Sequence, residues 1–158
     1  MSDVLLLRYA EGAGDIDTVR ALFAEYQQGL GVSLCFQDFE AELAGLPGKY
    51  ANPEGCILLA EADGRPAGVV ALRSLVGDTI AEMKRLYVRP AARGRGLGRR
   101  LASAIVDEAR KRRYGTLRLD TLPHLAEAIE LYRAMGFVEI PPYNDNPLPG
   151  VRYYEYRL

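Results

Sequence analysis

A chain of 158 residues is the size of one ordinary domain and is long enough to bury its own hydrophobic core. With 49% hydrophobic and 26% charged residues, two cysteines and no apolar run near the roughly 20 residues of a membrane span, it falls outside the disordered, disulfide-stapled and membrane-spanning classes. The net charge is only −1, yet eleven Lys or Arg residues lie between Lys84 and Arg113, against Asp107 and Glu108 alone.

Val4 to Arg8 reads as a first strand. Asp15 or Asp17 is placed to cap a helix to about Gln28, with Ile16, Val19, Leu22, Phe23 and Tyr26 at helical spacing and Gly29 and Gly31 behind it. Phe36 to Leu46 suits a second short helix, closed by Pro47-Gly48. Cys56 to Ala62 and Pro66 to Leu72 are apolar runs joined by Asp63-Gly64, a strong hairpin signal. Thr79 to Val88 is the next strand, stopped by Pro90. Leu97, Leu101, Ala104, Ile105 and Ala109 then recur at helical spacing to about Arg113. Thr116 to Thr121 is a strand, Pro123 opens a helix, and Gly136 ends it. A final pair of strands frames a polar, proline-rich loop from Pro141 to Gly150.

The order β-α-α-β-β-β-α-β-α-β-β implies a mixed sheet with helices on both faces, and no linker or repeat divides residues 1–158, so one domain is expected. The N-terminus, with Asp3 before Val4 to Leu7, lacks a basic region and a cleavage site, which makes the cytoplasm the default expectation. Cys35 and Cys56 offer no Cys/His metal spacing, so no metal is expected. The basic segment should attract an anion, whereas Arg110 to Arg113 read as cations complementing a helix C-terminus.

The sharpest feature is Arg93-Gly94-Arg95-Gly96-Leu97-Gly98-Arg99, set between a strand and a helix. Such a turn can aim free backbone N–H groups and a helix dipole at a phosphate, while glycines let the anion approach and arginines add charged donors. No Lys-Ser or Lys-Thr follows the last glycine, and Arg99 stands where a dinucleotide fingerprint needs its third glycine, so ATP and NAD are disfavoured. The structural alternative is a turn that merely starts a helix.

Arg93, Gly96 and Gly98, the preceding Leu86-Tyr87-Val88-Arg89-Pro90 and the later Leu131-Tyr132-Arg133-Ala134-Met135-Gly136-Phe137 together resemble the GNAT superfamily of acetyl-CoA-dependent N-acetyltransferases, over essentially the whole chain. The resemblance implies an α/β (α+β) fold with a mixed, mostly antiparallel sheet of six to seven strands, and acetyl-CoA as acyl donor. It implies that the backbone of Leu86, Tyr87 and Val88 pairs with the pantetheine arm. The N–H groups of Arg93, Gly94, Arg95, Gly96, Leu97, Gly98 and Arg99 would hold the pyrophosphate, and an N–H near Leu86 would polarise the thioester carbonyl.

By the same resemblance Tyr132 is the general acid that gives a proton to the departing thiolate; on spacing alone it reads as a core tyrosine near Ile129 and Met135. Glu82 is the candidate base, since an ammonium must lose a proton before it attacks; the alternative is a surface glutamate paired with Lys84. Many relatives carry an asparagine seven residues before the tyrosine, where this chain has Leu125, so that side-chain contact must be absent or replaced. His124, the only histidine, sits beside Pro123 and is left out of the site. Tyr26, Phe36, Tyr143 and Asn144 are weaker candidates for binding the amine.

The expected activity is acetyl transfer to a primary amine by direct attack, on a small molecule or a peptide; a homodimer is left open. Two other readings are a CoA-binding regulatory module without catalysis, and a nucleic-acid-binding domain using the arginines with Tyr153, Tyr154 and Tyr156. Retention of Glu82 and Tyr132 argues against the first, and a pI of about 5.9 against the second.

Overall fold

The structure, a computed structural model, describes residues 4–34 and 38–158. Its strands are β1 (Leu5–Tyr9), β2 (Cys56–Ala62), β3 (Arg65–Val76), β4 (Ile80–Val88), β5 (Thr116–Thr121), β6 (Val138–Ile140) and β7 (Arg152–Arg157). They form one sheet in the order β1-β2-β3-β4-β5-β7-β6, antiparallel throughout except between β4 and β5. Asp63 and Gly64 make the two-residue turn between β2 and β3, both at positive φ.

Helices cover both faces. On one lie α3 (Leu97–Lys111) and α4 (Ala126–Met135). The apolar stripe of α3, Leu97, Leu101, Ala102, Ile105, Val106 and Ala109, is buried against Leu58, Val70, Met83 and Leu117. Each large side chain in that stripe contributes about 1.5–3 kcal/mol by leaving water. On the other face lie α1 (Gly12–Leu30) and α2 (Phe39–Ala44), whose Val19, Leu22, Phe23 and Phe39 cover Ile57, Leu59, Val69 and Ala71. Among the described residues, no helix is long and apolar enough to cross a membrane.

Three helices differ from the sequence expectation at one end. Helix α1 begins at Gly12, and Asp15 lies inside its first turn, accepting the Glu11 N–H at 2.8 Å while Arg8 grips it with two nitrogens. Helix α2 spans only Phe39–Ala44 and stops at Gly45, before Pro47-Gly48. Helix α4 starts at Ala126 and not at Pro123, because Leu125 first turns back to bond the Leu122 carbonyl.

The feature that positions the site is a bulge in β4. Val69 pairs with Tyr87 and Ala71 with Lys84, so Val70 alone faces both Arg85 and Leu86. Arg85 takes a left-handed conformation, φ 61°, which costs a residue with a β-carbon about 1–2 kcal/mol. The extra residue resets the pleat. Met83 and Leu86 both join the α3 core, and Lys84 and Arg85 both face the α1/α2 side, where strict alternation would have turned Arg85 the other way.

There Arg85 is fixed by Glu42 of α2, with Nε and one terminal nitrogen each donating to a carboxylate oxygen at 2.9 Å. Both side chains are buried, at 2% and 6% exposure, and the guanidinium also lies 5.1 Å from the Phe39 ring centre. Burial works against the Glu42 charge, but bonding to Arg85 and the nearby Lys49 hold its carboxyl below the usual carboxylate range. Removing one partner of such a pair leaves a buried charge uncompensated, so Glu42→Gln should cost about 3–5 kcal/mol in urea unfolding at pH 7. A carboxyl depressed on folding stabilises above its unfolded pKa of about 4.3 and loses that contribution as pH falls. The gap between wild type and Glu42→Gln should therefore narrow below about pH 4.

Candidate active site

Strands β4 and β5 pair over only three residues, Ile80 to Glu82 with Thr116 to Arg118. Beyond them the strands diverge, and a cleft opens between Met83 to Leu86 on one arm and Leu119 to Leu122 on the other. A separated pair in mid-sheet is an aperture between its two faces. Tyr26, Leu30 and Leu34 line it from the α1 side, and Ala128 and Tyr132 from the α4 side, around a cavity of about 60 Å³. Lys84 and Asp120 reach toward each other across the fork, 3.8 Å apart.

Tyr132 is buried at 6% exposure and packs against Phe137 and Tyr154, with ring centres at 5.7 and 6.4 Å. It is both a core residue and a wall of the cleft. Burial, with the neighbouring Tyr26 and Asp120, pushes its hydroxyl well above the ordinary tyrosine range, so the group keeps its proton.

Glu82 lies at the last paired rung of the fork, 2% exposed. Its partner is not Lys84, as the surface alternative supposed: one carboxylate oxygen accepts from Arg73 at 3.0 Å and the other from the Tyr143 hydroxyl at 2.6 Å. A carboxylate has about four lone-pair sites, so these two bonds orient Glu82 and leave capacity for a further donor. Burial, then the Glu82 charge, raises Tyr143 far above the usual range and keeps it a donor.

Tyr143 and Asn144 belong to the 141–150 loop, and they tie that loop over the fork. The Asn144 amide donates to Asp120 at 3.0 Å, its oxygen accepts from Tyr153 at 2.9 Å, and Tyr143 stacks edge-on against Tyr153. The loop thus joins Glu82 to β5 and β7. Tyr26 reaches the cleft, whereas Phe36 lies outside the described residues.

At the far end of β4, Leu86 and Val88 turn inward to the α3 core, while the Tyr87 hydroxyl donates to Glu25 at 3.2 Å. The glycine-rich turn follows, and Arg93 anchors it by donating from Nε to the Val88 carbonyl at 3.1 Å. Gly94 and Gly96 have φ of 81° and 77°, and Gly96 is the residue at the start of α3, which has no side-chain cap. The first-turn N–H groups of α3 therefore face outward without a capping side chain. A β-carbon built on Gly94 or Gly96 would enter open space, whereas one on Gly98 would touch Leu131 at 3.8 Å. The turn has the form of the anion cradle expected from its glycines, and Arg99 and Arg100 are exposed beside it.

This combination invites comparison with known proteins. The profile of the Acetyltransferase (GNAT) family matches residues 17–137. The chain belongs to the GNAT acetyltransferase family. It is an acetyl-CoA-dependent acyltransferase. An uncharacterized N-acetyltransferase of Schizosaccharomyces pombe is 41% identical over 140 residues, which cover 88% of this chain and 86% of the relative. The fold is that of an acetyltransferase from Streptococcus agalactiae, with a TM-score of 0.78, 22% identity and 98% of each chain covered. It is also that of yncA from Salmonella typhimurium, solved with its cofactor acetyl-CoA, with a TM-score of 0.66, 22% identity, and 98% of this chain and 94% of that one covered.

Sequence reading of this GNAT acetyltransferase missed Glu42, Lys49, Arg73, Arg85 and Asp120. No motif announces them: they sit on five different elements or turns and meet only through the sheet order and the β4 bulge. Asp120, at the end of a parallel strand, was the one with a positional signal.

Left-handed backbone costs a β-branched residue about 1–2 kcal/mol, or roughly tenfold in affinity where the turn must hold that shape. Gly96→Val should weaken CoA binding by about that factor, measured by calorimetry, and by more than Arg95→Ala, which leaves the backbone alone. Gly98→Ala, whose added carbon meets Leu131 only at contact distance, should do less.

Proposed function

We propose that this acetyltransferase moves the acetyl group of acetyl-CoA to a primary amine by direct attack, with Glu82 accepting the amine proton and Tyr132 supplying a proton to the leaving sulfur. The observation that carries this reading is the fork itself. A single aperture through the sheet has a proton-holding tyrosine on its α4 side, and the cleft on its other side, which shares Lys84 and Asn146 with it, contains an oriented buried carboxylate.

The residues present fit the donor. The outward N–H groups at the start of α3 and the strained glycines before it suit a pyrophosphate, and Arg93, Arg95, Arg99 and Arg100 add charge around it. Beyond Glu82 the β5-facing edge of β4 has no strand partner among the described residues, which makes the β4 edge at the fork a fitting backbone partner for the pantetheine arm. When bound, acetyl-CoA supplies an acetyl thioester, activated for transfer to nitrogen.

The chain's own residues then divide the proton work. Glu82, held by Arg73 and Tyr143, receives the proton of an incoming ammonium, directly or through one water. Tyr132 Oη, kept protonated by burial, gives its proton to the sulfur as the bond to carbon breaks. With the thioester bound, an N–H near Leu86 would serve the negative charge that develops on its carbonyl oxygen. Leu125 lines the cleft where many relatives have asparagine, so that position contributes only an apolar wall. Tyr153 and Tyr154 are buried in the sheet and Tyr156 is half-buried, which counts against the stacking that a nucleic-acid reading needs.

Glu82→Gln should leave CoA affinity intact and lower turnover near neutral pH, with the deficit shrinking as pH approaches the pKa of the acceptor amine; a deficit that ignores pH would assign Glu82 a purely structural part. Tyr132→Phe keeps the ring in place, so acetyl-CoA should still bind and the single-turnover rate should fall by about 100-fold to 10,000-fold. Wild-type rates in a Phe variant with an unchanged melting temperature would leave Tyr132 as a packing residue.

A further inference from the structure

Three cations line the cleft in front of Glu82. Lys49, Arg73 and Lys84 stand around a space of about 270 Å³ with Glu82, Asn144 and, at the rim, Asp145. An acceptor amine arrives mostly as ammonium, so a wall of positive charge is the wrong complement for a plain amine.

The local charges do not pair one to one. Arg73 answers Glu82 at 3.0 Å and Lys84 answers Asp120 at 3.8 Å. Lys49 lies 3.3 Å from Glu42, but that carboxylate is already held by both nitrogens of Arg85. Lys49 is thus a cation whose nearest carboxylate is already engaged by another, whereas Arg73 and Lys84 each face a carboxylate of their own. Asp145 and Lys49 are both exposed at the rim. At Lys49 burial lowers the ammonium pKa, Glu42 opposes this, and the nearby charges of Lys84 and Arg73 lower it further.

Resting on the reading of Glu82 as base, we infer that the acceptor carries its own carboxylate: it is a free amino acid or similar small aminocarboxylate, its carboxylate among Lys49, Arg73 and Lys84 and its amine toward Glu82. Lys49, which shares Glu42 with Arg85, then gains a carboxylate partner, and the ammonium enters attached to an anion. The cleft volume is just below the range of about 300–1,000 Å³ that holds drug-sized ligands, which suits one small molecule. Asn144, tied to Asp120 and Tyr153, narrows the opening from the loop side.

The test uses the full chain with acetyl-CoA and follows thiol release on a panel of standard amino acids, each beside its carboxamide and its decarboxylated amine. The free carboxylate should be preferred in kcat/KM by about tenfold to a hundredfold, the range expected for one charge-assisted hydrogen bond. Lys49→Gln should shrink that preference by roughly tenfold, mainly through KM, and Lys49→Arg should restore most of it. Lys49 is about a third exposed, so the variants should melt near the wild type. Carboxamides or decarboxylated amines that match the amino acids, or a preference unmoved by Lys49→Gln, would overturn the inference and leave acetyl transfer to amines standing. No turnover of any panel member by protein that binds acetyl-CoA in calorimetry would overturn the catalytic reading together with it.

Discussion

The arrangement of the whole site depends on one extra residue in β4 and on the buried ion pair that holds it. Arg85 occupies a left-handed conformation that an ordinary strand residue avoids, and it persists because Glu42 receives its guanidinium through two hydrogen bonds while Phe39 and Tyr26 pack over it. The bulge bends β4 away from β5 just after their third paired rung, and an interior sheet acquires an opening. Without it, parallel pairing would continue, Lys84 and Arg85 would take opposite faces, and no aperture would join Tyr132 to the α1 side.

The electrostatics follow from that opening. Six ionisable groups are taken from water around it, and each is oriented by a partner on another element: Glu42 by Arg85, Glu82 by Arg73, and Lys84 by Asp120. Pairs at such depth add little net stability, because desolvation offsets most of their attraction. Their effect is on geometry. The loop at 141–150 closes the network from above, since Tyr143 and Asn144 bond to residues on β4 and β5 respectively. The loop that turn-forming residues alone would explain is therefore part of the wall of the site.

Two chemistries share the aperture and are kept apart by the sheet. On the α4 side the surroundings are aromatic and apolar, which keeps the Tyr132 proton on oxygen. On the α1/α2 side the surroundings are charged, with Lys49, Arg73, Glu82 and Lys84 around the cleft. The glycine-rich turn lies at the end of the same strand, tied to it by the bond from Arg93 to the Val88 carbonyl.

Local rules were enough for the element order, the Asp63-Gly64 hairpin, the apolar stripe of α3 and the glycine turn. Each of these is written in residues close together in sequence: alternation, helical spacing, and glycines where the backbone must turn left-handed. Helix ends were less legible, because Arg8 recruits Asp15 from a neighbouring strand and Leu125 turns back before α4 begins. Glu82 and Tyr132 were named through a family resemblance, while spacing by itself favoured core packing for Tyr132. The tertiary structure alone decided that β7 inserts between β5 and β6, that β4 carries a bulge at Arg85, and that Glu82 is met by Arg73 and Tyr143 and not by Lys84. Those outcomes rest on contacts between residues up to 61 positions apart, such as Tyr143 with Glu82, and on a desolvation balance that no short stretch of sequence contains.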